Sequence, residues 1–237
     1  MTYSIFTRKY LIMSKPLEKN EIVERMQKHL ESGKFIYAQD QIAVPLYFDT
    51  CYEYLMANCI DATERKIKGI EKVERKQKYK IRRKPKVSTD RTNRGEEWFV
   101  LDMFYQNTDK NNVFGELQGY QVPIKGKRDD KGVGKIDFIS VIDGFLYLHE
   151  LKADYSRESI LKAILEVQTY YQQINHERLI DDFGLTGKVN GIKKSVVIFK
   201  GSEAYEQLDE PEVQNLLKLF EIELFILERS VCFSRFV

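Results

Sequence analysis

Two short apolar runs, over 136–142 and 145–152, are joined by nothing but Asp143 and Gly144. No other segment constrains the fold as tightly. An Asp-Gly dipeptide between such runs predicts a two-residue hairpin, because both turn positions need a positive φ that Gly adopts freely and Asp tolerates. Ile142 then pairs with Phe145. Five residues further from the turn on each strand, Asp137 stands opposite Glu150. Side chains alternate along a strand, so Glu150 and Lys152 share one side, while His149 and Leu151 point to the other.

The rest of the chain supplies partners for this hairpin. Residues 115–124 read as a strand, followed by a polar, Gly-containing turn over 125–134. Helical spacing runs from Glu97 to Tyr105 through Val100, Leu101 and Phe104. A long helix over about 157–177 carries Ile160, Ile164, Val167, Tyr171 and Ile174 at alternating spacings of four and three. A strand over 195–200, a helix over 211–220 and a strand over 221–228 follow. The expected class is α/β: a mixed central sheet flanked by helices, with an α-β-β-β-α-β core plus a C-terminal helix and strand.

An N-terminal helical extension precedes it. Residues 1–17 look irregular. Helices are expected over 18–34 and over 47–78, the second with Phe48, Tyr52, Leu55 and Cys59 on one face. A basic, extended linker over 79–94 carries Pro85. The division is a helical region with basic linker over 1–92 and a core over 93–237.

Charge is uneven. The net charge is +2, yet residues 65–94 hold 14 Lys or Arg against 3 Asp or Glu, leaving an acidic remainder. A dense basic block beside an acidic body suits nucleic-acid contact. Lys80, Arg82, Arg83, Lys84 and Lys86 are the expected phosphate-binding residues there. Lys125, Lys127 and Arg128 add to them from the turn, and Tyr79 is a candidate for stacking on bases. Three cysteines, Cys51, Cys59 and Cys232, fit neither a disulfide framework nor a zinc spacing, so a reducing cytoplasm is the expected compartment. Apolar stretches are too short for a membrane span, and 3–13, split by Arg8 and Lys9, is no signal peptide. Met13 is an alternative start to Met1.

Two carboxylates facing each other on apolar strands repel and raise each other's pKa. A divalent cation removes that penalty, and oxygen donors suit Mg²⁺ or Mn²⁺. An ammonium two residues on is placed to orient a metal-bound water or to stabilise charge on a phosphorus centre. Asp137, a twelve-residue spacer, then Glu150, Leu151 and Lys152 resembles the PD-(D/E)XK nuclease superfamily, the restriction-endonuclease-like fold. Ile136 stands where that name has proline. The resemblance covers about 93–228 and implies metal ligands at Asp137, Glu150 and the Leu151 carbonyl, with Lys152 catalytic. It further implies a glutamate on the first core helix, for which Glu97 fits the apolar spacing better and Glu96 is the alternative. Some members carry a Gln and a Tyr four residues later on the helix after the lysine strand. Gln168 is the nearest match, with Tyr171 three residues on. The expected function is a Mg²⁺-dependent nuclease, endo- or exonucleolytic, acting on nucleic acid with DNA as the first choice. A non-catalytic binding or assembly protein on the same fold is the alternative. The N-terminal helices are candidates for a homodimer or protein-partner contact.

Overall fold

The turn at 143–144 forms as its dipeptide requires: Asp143 has φ 48° and Gly144 φ 76°. It joins β2 (Lys135–Ile142) to β3 (Phe145–Leu151). The antiparallel ladder runs from Ile142↔Phe145 to Phe138↔His149, so the next register position brings Asp137 to Glu150 as the sequence predicts. The computed structural model describes residues 60–80, 95–106, 113–126, 134–156 and 158–228. Outside the described residues lie the helix expected over 18–34, the first part of that over 47–78 and the three cysteines. The same holds for Arg82, Arg83, Lys84, Lys86, Lys127 and Arg128.

The protein is α/β, with a five-stranded mixed sheet in the order β1-β2-β3-β4-β5. β1 (Glu116–Pro123), β2 and β3 are antiparallel; β4 (Ile192–Phe199) and β5 (Ile222–Leu227) run parallel to β3. Helices cover both faces. α1 (Ile60–Lys68), α3 (Ile160–Gln173), α4 (His176–Asp182) and α6 (Pro211–Leu219) lie on one side, and α2 (Gly95–Gln106) on the other. A short α5 (Glu203–Glu206) follows β4. Among the described residues no helix is long and apolar enough to cross a membrane.

The larger core lies under α3, with Ile139, Leu148, Ile164, Val167, Val196 and Ile198 fully buried. Phe138, Leu151, Val197 and Val100 fill the α2 side. The alternation of these residues along β3 and β4 means that Glu150, in phase with Leu146 and Leu148, faces α3.

Two expected elements are corrected. The helix expected over about 157–177 is shorter, Ile160–Gln173, and a second helix follows it: Ser159 caps α3, whereas Ile174 is extended and the Asn175 side chain accepts from Arg178 N to start α4. The helix over 47–78 ends at Lys68. Gly69 follows, and residues 70–80 form a non-helical strap across α3 and α4, with Val73 N donating to Gln173 O at 2.7 Å. Ile67 and Tyr79 join the main core, so the described part of the N-terminal region packs directly on the sheet domain.

Candidate active site

Strand β3 ends where β2 begins, and there the hairpin brings polar groups into an apolar interior. Asp137, Glu150 and Lys152 are 8%, 5% and 3% exposed. Asp137 Oδ2 accepts from Leu151 N at 2.9 Å, and Oδ1 accepts from the Gln121 amide at 3.1 Å. Gln121 stands opposite Asp137 in β1 with φ 47°. Such a backbone costs a non-glycine residue about 1–3 kcal/mol and concentrates at functional sites.

Lys152 is the electrostatic centre. Its Nζ donates to Glu150 Oε1 at 2.9 Å and Glu166 Oε2 at 2.7 Å, and pairs with Glu158 Oε2 at 2.9 Å. Glu150 Oε2 is sealed from solvent without a hydrogen-bond partner among the described residues. A buried carboxylate oxygen with no donor is costly, and the cost is relieved when the group takes up a proton or a cation.

The pKa shifts follow from this crowding. Burial pushes the Asp137 carboxyl up to about 7, against the pull of Lys152 and the Leu151 N–H. Burial, then Asp137, raises Glu150 well above the carboxylate range. Burial works against the Lys152 ammonium, but Glu166, Glu150 and Glu158 outweigh it and hold its pKa well above the ordinary value. Glu158 resists burial and falls to about 2 under Lys152 and Lys162.

Three further residues reach the centre that the sequence did not single out: Glu158, Glu166 and Tyr170. Glu166 and Tyr170 are four apart on α3 and so share a face. Burial first, then Glu150, Glu166 and Asp137, raises the Tyr170 phenol well above its ordinary value. Its ring packs so tightly on Gly134 that a Cβ there would stand 2.7 Å from Cζ.

Gln168, expected at the site, is turned away. Its Oε1 accepts from Lys194 Nζ on β4 at 2.7 Å. The helix-borne glutamate is also corrected: Glu96, not Glu97, reaches the centre. Glu96 Oε1 accepts from Ala153 N at 3.4 Å, and its pKa is raised by burial against the pull of Lys152. Glu97 makes no hydrogen bond or ion pair with the cluster among the described residues. His149 points to the far face as alternation requires. It is fully buried between Ser140 Oγ (2.8 Å from Nε2) and Ser195 Oγ (2.5 Å from Nδ1).

Of the expected phosphate contacts, Lys80 is exposed and packs its ammonium 5.4 Å from the centre of the Phe183 ring. Lys125 is exposed, and its carbonyl accepts from Arg75 Nη1. Tyr79 is not available to stack on bases: it is 1% exposed, its N–H donates to Asp182 and its hydroxyl accepts from Asn175 N.

Among the described residues no three His, Cys, Asp or Glu side chains form a ready-made metal cage; the Lys152 ammonium stands between Glu150, Glu158 and Glu166. The donor set at Asp137 and Glu150 nevertheless suits a hard divalent cation, since Glu150 Oε2 has no donor among the described residues and burial opposes the charge on both carboxyl groups. Comparison of the chain with protein-family models, curated proteins and solved structures gives no match.

Proposed function

We propose that this chain is a metal-dependent nuclease of the PD-(D/E)XK kind, hydrolysing phosphodiester bonds in nucleic acid, with DNA the first substrate to test. One observation carries the reading: Asp137, Glu150 and Lys152 are buried together at a strand end, with Glu150 Oε2 lacking a donor among the described residues. The order α2, β1, β2, β3, α3, β4 supports it, being an α-β-β-β-α-β core. Glu166 and Tyr170 have the spacing of the Gln and Tyr found in some members of that superfamily, with Glu in place of Gln.

Asp137, Glu150 and the Leu151 carbonyl would hold Mg²⁺ or Mn²⁺. Such a cation, when bound, lowers the pKa of an attacking water and neutralises charge on the phosphoryl oxygen. Gln121 and the Leu151 N–H orient the Asp137 carboxylate. Glu150, Glu158 and Glu166 keep Lys152 charged, so its role is to hold the water and stabilise anionic charge rather than to accept a proton. Tyr170, wedged on Gly134, closes the α3 side.

The test is Mg²⁺-dependent cleavage of single- and double-stranded DNA. Lys152→Ala should lower the rate by about 10²–10³-fold while DNA retention persists. Glu150→Gln, which keeps the shape of the site, should do the same. Cleavage at the wild-type rate in both variants sinks the assignment. The full engagement of Lys152 by carboxylates favours the second reading, a non-catalytic nucleic-acid-binding protein on this fold. Binding without turnover by the wild type would select it.

A further inference from the structure

The strap over 70–80 is held down in an unusual way. Arg178 of α4 donates to the carbonyls of Arg75, Lys76 and Gln77. Arg75 donates to the carbonyls of Lys78 and Lys125. The carbonyls of Arg75, Lys76, Gln77 and Lys78 are taken by these arginines, while the side chains of Lys72 and Lys76 are exposed. Between the strap and α4 lies a cavity of about 290 Å³, whose lining includes Lys72, Arg75, Lys76 and Arg178 against one carboxylate, Glu74. Arg178 is paired with Asp182 behind the lining, at 3.9 Å, so the excess positive charge of the concavity rests on Lys72, Lys76 and Arg75 against Glu74.

This cavity adjoins the carboxylate centre by two independent links. Arg75 is tied to Lys125, and Lys125 lies four residues along the chain from Gln121, which holds Asp137. Fully extended, those four residues span at most about 13 Å, on the order of four nucleotides of a strand. Val73 N is tied to Gln173 O, and Tyr170, which lines the centre, sits one turn earlier on α3. The strap therefore flanks the end of the sheet at which Asp137 stands.

We infer that the strap and its cavity bind backbone phosphates of the nucleic-acid strand that the Asp137–Glu150–Lys152 centre acts on. The inference rests on the nuclease reading for the identity of the strand, not for the existence of the surface. Lys72 and Lys76 supply mobile ammoniums to the phosphates. Arg75 and Arg178 fix the strap, and Arg75 adds charge behind it. These contacts read no base and set only position.

The experiment is fluorescence anisotropy of a labelled single-stranded oligonucleotide bound to the full chain in EDTA, across a salt titration. K72E/K76E is compared with wild type and with K188E/K218E. The latter changes charge equally at exposed positions on the hairpin-turn side of the molecule. The expected result for K72E/K76E is a Kd about tenfold higher and a log Kd–log salt slope shallower by about 1.4, the value for two lost phosphate contacts. K188E/K218E should stay near wild type. Unchanged binding by K72E/K76E overturns the inference, as does an equal loss in K188E/K218E. Full displacement of the probe by millimolar inorganic phosphate at constant ionic strength also overturns it, because the ligand would then be free phosphate. Cleavage is read separately with Mg²⁺. Lost binding in K72E/K76E without cleavage by the wild type ends the nuclease reading and leaves the strand surface standing. Cleavage with unaltered binding does the reverse.

Discussion

Replacing Asp137 by Asn should stabilise the metal-free protein. The carboxyl is moved from its ordinary 3.8 to about 7, chiefly by burial. At about 1.36 kcal/mol per pH unit that corresponds to roughly 4 kcal/mol held against the ionised form. The folded pKa is raised, so the folded state binds the proton more tightly than the unfolded chain. Stability from this group is therefore complete below pH 3.8, is lost as pH rises to about 7, and stays lost above it. Asn carries no such charge and keeps the local bonds: its carbonyl still accepts from Leu151 N, and the Gln121 amide rotates to accept from its NH₂. If half of the penalty survives relaxation of the site, D137N gains ~2 kcal/mol, or about 4–8 °C in Tm, at alkaline pH. The assay is thermal denaturation in EDTA from pH 4 to pH 8.5, repeated with Mg²⁺. The gap between D137N and wild type should open with pH and level off above 7. Mg²⁺ should raise the wild-type Tm and leave D137N unmoved. A D137N protein that melts at or below the wild type at pH 8.5 in EDTA refutes the reasoning.

Two further perturbations report on the surroundings of the site. Burial lowers His149 to about 3 from 6.5, so the unfolded state takes up a proton first as pH falls. Stability should therefore decline from pH 6.5 towards 3 by up to about 1.4 kcal/mol per unit. His149→Phe should show a shallower decline in urea denaturation over that window despite a lower starting stability; equal slopes would count against the buried neutral imidazole. Gly134→Ala should cost about 1–3 kcal/mol and slow cleavage, because the new methyl meets the Tyr170 ring. Tyr170→Leu in the same background should restore most of the stability, and an unperturbed Gly134→Ala protein would mean that the ring gives way freely.

The hairpin and its register were legible because turn chemistry and strand alternation agree at that one place, and neither depends on the remainder of the chain. Helix faces were harder. α3 is buried on nearly every side, with Leu161, Ala163 and Leu165 as covered as Ile164 and Val167, so no polar face marks where the site lies. The apolar stripe through Ile164 and Tyr171 points to Gln168, but that side meets Lys194, and the centre is met by Glu166 and Tyr170. At the start of α2 the choice of Glu96 over Glu97 is a rotation of about 100°, within the freedom left by an apolar spacing that suits both. Residues 69–78 read as helix because Glu, Lys, Arg and Gln are good helix formers. Arg75 and Arg178 override that preference by taking the very carbonyls a helix would have used, and nothing near 69–80 in the sequence announces an arginine a hundred residues away.

The Ser140–His149–Ser195 chain acts as an alignment pin through β2, β3 and β4. A one-residue slip of β3 would carry the imidazole to the α3 side and swing Glu150 and Lys152 onto the α2 side, into Phe138 and Val197. That slip would also strand both hydroxyls and the imidazole without partners, at about 1–3 kcal/mol for each buried group. The misregistered sheet is thus disfavoured from both faces at once. A polar cluster on the face opposite Glu150 and Lys152 governs whether the acidic groups meet, so a fault in strand assembly should also be a fault in the carboxylate centre.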